Sequence, residues 1–223
     1  MRSRTRIALA VGGSVALAGL VEVVTYRLWR DWCVHWGATD REAAATLPGD
    51  DCLADPEFVT TRAIGVGAPP SSIWPWLAQM GSGRGGLYTY DWIENLFGLN
   101  MHSVDVVLPD FQQVAVGDTQ TIGKNGPTFR VVVCQPDRAL VLRSEDGNWV
   151  WAFLLRPEGG GTRLISRNRF RLPGAPVGLK LFYRYVMEPG SLVMERKMLL
   201  GIKERAERLA QEKAAPTAPR SPV

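Results

Sequence analysis

Ser72-Ile73-Trp74-Pro75-Trp76-Leu77-Ala78-Gln79-Met80-Gly81-Ser82-Gly83-Arg84-Gly85-Gly86-Leu87-Tyr88-Thr89-Tyr90-Asp91-Trp92-Ile93-Glu94-Asn95 is the stretch on which the reading of this chain turns. It holds three tryptophans, two tyrosines and four glycines. The aromatics can fill or line a large apolar space, and the glycines let backbone pass close to other groups. No nucleophile–base pair lies in it, so it reads as a wall rather than a reaction centre. Gly81, Gly83 and Gly86 satisfy GxGxxG. A dinucleotide fingerprint, however, follows a strand and opens a helix. Here it follows a helical pattern and runs into Leu87-Tyr88-Thr89-Tyr90. The glycines therefore shape a loop between two short helices, with Arg84 fixing it through a carboxylate or carbonyl. Ile73–Met80 is the first helix, with Pro75 expected in its first turn, where proline is tolerated. Tyr90–Phe97 is the second, with Asp91 near its positive end. Asp91 and Glu94 share a helix face. Asp91 reads as a helix-start residue, and Glu94 as exposed or as a partner of Arg84.

Outward from this stretch the hydrophobic period is two. Strands are expected at Phe58–Val66, Thr119–Ile122, Phe129–Gln135, Ala139–Ser144, Asn148–Arg156 and Thr162–Leu172, with turns at Gly123–Pro127, Gln135–Asp137, Glu145–Gly147 and Glu158–Gly161. Short turns between consecutive strands make an antiparallel meander. Leu179–Gln211 closes the domain as a helix interrupted at Pro189-Gly190, with Met194, Met198, Ile202, Ala206 and Leu209 forming its apolar stripe. Pattern alone gives an α+β class. The domains expected are 1–36 as membrane anchor and interfacial segment, 37–57 as polar connector, 58–213 as the folded domain and 214–223 as a disordered tail.

The aromatic stretch also carries a resemblance. With Trp36-Gly37-Ala38-Thr39-Asp40, Val116-Gly117-Asp118, Arg138–Leu142 and Trp149–Arg156, the pattern WPWLxQMGxGRGGxYxYDW resembles the START-like superfamily of polyketide cyclase/dehydrase and lipid-transport proteins. It is most similar to a bacterial membrane-anchored subgroup, over residues 36–210. The resemblance implies a helix-grip fold, with a curved antiparallel sheet around the long C-terminal helix and a cavity between them. The superfamily spans enzymes and plain binders, so function does not follow from it.

The net charge of +4 is unevenly placed. Residues 1–36 carry five arginines against two acids, and residues 180–223 carry nine basic groups against five glutamates. Residues 37–179 carry twelve basic against fifteen acidic groups, so the body is mildly acidic and the ends are basic. Nucleic acid needs a basic stripe on the folded body, and the sequence speaks against it. Basic ends suit an anionic membrane surface. Arg2, Arg4 and Arg6 precede the apolar run Ile7–Val24, which is long enough to cross a bilayer core. Tyr26, Arg27, Trp29, Arg30 and Trp32 follow as an aromatic and basic belt. The reading is a retained single N-terminal helix, with membrane contact through residues 7–32 and a membrane localisation. A signal cleaved after Ala16-Leu17-Ala18 is the rival. Cys33, Cys52 and Cys134 have no CxxC pairing, and with only His35 and His102 available no zinc site or other cofactor is expected. Cys134 reads as a small buried hydrophobe, and Cys33–Cys52 can pair only in an oxidising compartment.

The expected ligand-binding residues are Tyr88, Tyr90, Trp92, His102, Trp151, Phe153, Ser166, Asn168, Met194 and Met198. Trp149, Trp151, Phe153 and Leu155 share a strand face that is either packed core or cavity wall. Leu164, Ser166, Asn168 and Phe170 share the inward face of the next strand, where Ser166 and Asn168 can orient a ligand. Arg163, Arg167, Arg169 and Arg171 project the other way and read as solvated or membrane-facing. His102 beside Ser103 invites a hydrolase reading, but no GxSxG elbow is present. The expectation is binding or transfer of a hydrophobic small molecule (lipid, isoprenoid or polyketide-like), with no catalytic residue assigned. The alternatives are a cyclase/dehydratase acting on such a ligand, or a ligand-free interaction module.

Overall fold

Phe58–Val66 forms the first strand, β1, which is inward-facing at Phe58, Thr60, Arg62, Ile64 and Val66 and buried on both faces over Thr60–Ala63. Five more strands follow: β2 Thr119–Thr121, β3 Thr128–Gln135, β4 Ala139–Ser144, β5 Trp149–Glu158 and β6 Gly161–Phe170. They form one antiparallel sheet in the order β1-β6-β5-β4-β3-β2, a meander with the first strand returned beside the last. This computed structural model describes residues 24–123 and 126–215.

The helices are α1 over 24–34, α2 Asp40–Ala44, α3 Pro70–Ala78, α4 Asp91–Leu96, α5 Val177–Phe182 and α6 Glu188–Ala214. A π-helix, Tyr183–Met187, joins α5 to α6. Helix α3 begins at Pro70, so Pro75 lies in its interior rather than its first turn. Proline has no N–H to give the carbonyl four residues back, and that carbonyl, on Ser71, accepts Lys213 Nζ at 3.4 Å instead.

Both faces of the sheet are covered, which is why β5 is apolar on both sides. The inner face packs Trp151, Phe153, Leu155 and Leu164 against α3 and α6, whose Met198, Leu199, Ile202 and Ala206 are buried. Gly201 lets α6 come close to the preceding loop, because a Cβ there would lie 2.7 Å from the Tyr88 carbonyl. The outer face packs Ala63, Val141, Val150, Ala152, Leu154 and Ile165 against Leu47 and Leu53.

The outer cover comes from residues 37–57, which were read as a connector and are instead an ordered layer. Thr39 and Glu42 form a capping box that starts α2. Three of the four arginines expected to be solvated, Arg163, Arg167 and Arg169, hold this layer down, while Arg171 is exposed and donates to Asn148. Arg163 pairs with Glu42 at 2.8 Å. Arg167, 3% exposed, reaches the Ala45, Glu42 and Ala43 carbonyls, Asp50 and Thr61. Arg169 bonds the Leu53 and Ala54 carbonyls. Planar guanidinium forks suit such carbonyl clusters, and strand alternation could not reveal that a second layer would meet them.

Among the described residues no helix is long and apolar enough to cross a membrane. The expected span, Ile7–Val24, lies outside the described residues apart from Val24. The tail from 216 onward also lies outside them.

Candidate functional site

The inner face is not uniformly apolar. Cross-strand register places Arg62 opposite Ser166, Thr60 opposite Asn168, Trp151 opposite Asn168 and Phe153 opposite Ser166. Above this row, α6 turns Glu188, Ser191 and Glu195 toward the sheet, at positions three and four apart on one helix face. Arg62 is fully buried and Glu195 is 7% exposed, and the two form an ion pair. The remaining Arg62 nitrogens donate to the Cys33 carbonyl and Ser191 Oγ, both at 3.0 Å. Glu195 Oε1 also accepts Ser166 Oγ at 2.5 Å and Asn168 Nδ2 at 3.3 Å. Trp151 Nε1 donates to Ser166 Oγ at 3.0 Å, and Trp149 Nε1 to Asn168 Oδ1 at 2.8 Å. Thr60 Oγ1, buried next to this array, has no hydrogen-bond partner among the described residues. Arg62 and Glu195 were not anticipated from the sequence.

The polar array has a roof. Tyr183, from the π-helix, packs at a tilt against Phe170 at 4.4 Å and Phe58 at 4.9 Å between ring centroids. Burial, followed by the neighbouring Glu188 carboxylate, pushes its phenol well above the ordinary tyrosine range. Glu188, 1% exposed, takes a bidentate pair from Arg30 of α1, both bonds 2.8 Å. Helix α1, the π-helix and the start of α6 therefore close one end of the sheet together.

Of the residues expected to bind ligand, Trp151, Phe153, Ser166, Asn168 and Met198 are buried on this inner face. Met194 is half-buried. Tyr88 is buried too, with its hydroxyl donating to the Trp76 carbonyl at 3.0 Å. Burial raises its phenol pKa strongly. Tyr90 and Trp92 are not brought to the array, because they lie on the surface, Trp92 66% exposed. His102 is exposed as well. Ser103 is held by Asp91, through its hydroxyl at 2.6 Å and its N–H at 2.8 Å, so no His–Ser pair forms. Glu94 is buried rather than paired with Arg84, and burial raises its pKa. Arg84 donates to the Ala78 carbonyl at 2.9 Å, the carbonyl alternative of the sequence reading.

Two shallow surface concavities are present among the described residues. One of about 580 Å³ is bounded by Pro48, Pro70, Arg138, Leu154 and Arg156, and one of about 200 Å³ by Trp76, Val107, Arg205 and Leu209. Neither is lined by any of the ten expected binding residues. Among the described residues no group of three or more His, Cys, Asp or Glu converges as a metal site. The three cysteines are free.

No family model matches the chain, and no curated protein matches it. Solved structures similar to it include KanY, at 14% identity over 67% of this chain and 97% of that one, with a TM-score of 0.45. Protein MLL2253 from Mesorhizobium loti shares 18% identity over 70% of this chain and 98% of its own, with a TM-score of 0.40. The polyketide-cyclase-like protein Cgl2372 from Corynebacterium glutamicum shares 18% identity over 70% and 91%, with a TM-score of 0.32. The chain's own topology, a six-stranded antiparallel sheet closed by a long C-terminal helix, is the helix-grip arrangement that the START-like resemblance implies.

Proposed function

We propose that this protein binds a hydrophobic small molecule carrying one polar group, of lipid, isoprenoid or polyketide-like type, between the sheet and α6. The array of Arg62, Glu195, Ser166 and Asn168 on the inner face carries this reading. Burying an ion pair costs several kcal/mol per ion, and well-packed apolar residues of similar volume are often as stable or more so. Stability alone therefore gives little reason for charge at the centre of an otherwise apolar layer. A polar head placed there would meet donors and acceptors already fixed in direction, with the Thr60 hydroxyl free to join. The hydrocarbon part would lie against Trp151, Phe153 and Met198. A ligand would enter beneath Tyr183, where a π-helix, a form frequent at functional sites, interrupts the helical run. Residues 7–32 hold the protein at a membrane, its source of such ligands, and this is the proposed localisation.

A ligand-free interaction module is the second reading. It is favoured by the close packing of Trp151 and Phe153, 7% and 0% exposed. Titrating the detergent-solubilised full chain with a polarity-sensitive naphthylamine dye separates the two. The carrier reading predicts saturable emission that natural lipid extracts compete away. Linear, non-competed emission would leave the interaction module.

A further inference from the structure

The roof over the polar array has an outer surface as unusual as its inner one. Along residues 177–187, Val177, Leu179, Leu181, Phe182, Tyr185, Val186 and Met187 are each 45–72% exposed. The same segment contains Lys180 and Arg184 and no acid. Helix α1 adds Val24, Leu28, Trp29 and Trp32, between 43% and 69% exposed, with Arg27 among them. The two helices meet edge to edge: the Tyr26 and Tyr185 rings are 4.9 Å apart and Arg30 pairs with Glu188. Scattered exposed apolar side chains need no explanation, but eleven of them concentrated on two helical segments in contact mark an interaction site.

We propose that α1 and the α5–π segment together form a membrane-docking face that lies in the interface of an anionic bilayer. This rests on the membrane reading of residues 7–32 and extends it to a segment about 150 residues away in sequence. Two observations select lipid over a protein partner. The apolar run Ile7–Val24 leads directly into α1, so this face lies beside the point where the chain would leave a bilayer. Its composition is Trp, Tyr, Phe, Leu and Val with basic groups and one acid, Asp31, which is the composition of interfacial helices. Lys180 is paired with Glu57 at 2.7 Å and Arg184 lies over the Phe58 ring, and Arg27 is exposed beside them for anionic head groups. Docked this way, Tyr183 and the array beneath it sit directly under the lipid surface.

The test uses the full chain with Cys33, Cys52 and Cys134 replaced by Ala, in phosphatidylcholine–phosphatidylglycerol vesicles. A nitroxide is placed through Phe182→Cys and, in a second sample, through Glu158→Cys at the end of β5. Phe182 is 50% exposed, so its replacement leaves the core intact. The docking face predicts a label at 182 that collides with oxygen but is protected from a water-soluble nickel chelate. Its oxygen-to-nickel collision ratio should be severalfold above that at 158. A ratio at 182 equal to that at 158 overturns the proposal. So does protection from both reagents, which would mean that protein covers the face. A carbonate wash separates this from the anchor. A chain that stays on the vesicles while label 182 reads water keeps its anchor and loses the docking face.

Discussion

Ser166 Oγ donates to Glu195 Oε1 across 2.5 Å, tying β6, the second strand of the sheet, to the closing helix. The same carboxylate carries the Arg62 ion pair, so sheet, helix α6 and, through the Cys33 carbonyl, helix α1 meet at one buried charge pair. Removing one partner alone should be costly, since it strands the other. Arg62→Met or Glu195→Leu is expected to lose about 3–5 kcal/mol in urea unfolding followed by tryptophan emission. The double variant should recover most of that loss. Additive losses would mean that the pair does not act as a unit.

The outer layer gives a pH-dependent expectation. The hydrogen-bonded Arg163 guanidinium holds the Glu42 carboxyl down to about 2. An unfolded glutamate titrates near ~4.3. Because the folded value is the lower one, Glu42 contributes stability above the unfolded value and loses it as pH falls toward the folded one. Glu42→Gln should thus be less stable than wild type at neutral pH, and the gap should close between roughly pH 4.5 and pH 2. A gap that stays constant across that range would place the ionised pair outside the folding balance.

Helix α6 and the surface aromatics should respond oppositely to substitution. Met198 is 1% exposed, and Met198→Asp would bury a carboxylate without a partner. A loss of several kcal/mol is expected, comparable with the whole stability of a domain. Trp92 is 66% exposed, so Trp92→Ala should shift stability by less than about 0.5 kcal/mol and leave dye binding unchanged. Thermal melts check both. Near-wild-type melting of Met198→Asp would make α6 peripheral to the fold.

The strands were legible because alternation and turn residues agree: Phe58–Val66 and Ala139–Ser144 are strands over those residues, and the other four differ only at their ends. Ser166 and Asn168 were legible as inward polar groups for the same reason. Arg62 was not, although an arginine between Thr60 and Ile64 on an inward row was the available signal. Glu195 was hidden by its charge. The expected stripe holds at Met198, Ile202 and Ala206, which are buried, but the buried face also takes in Leu192, Glu195 and Leu199, while Met194 is only half-buried. The ordered layer at 37–57 was missed because its cohesion comes from arginines on β6, more than a hundred residues away in sequence. Tyr88 is buried while Tyr90 and Trp92 are exposed, because an aromatic cluster in sequence does not say which members follow the loop inward.

The most direct measurement of the central claim is native mass spectrometry of the full chain, purified in mild detergent from the membranes of its own host. The account predicts one discrete non-covalent adduct of lipid mass on wild type, reduced in Asn168→Leu by far more than that variant's loss of stability in urea unfolding explains. A bare polypeptide mass on wild type, or an adduct retained undiminished in Asn168→Leu, would contradict a ligand seated against Glu195, Ser166 and Asn168.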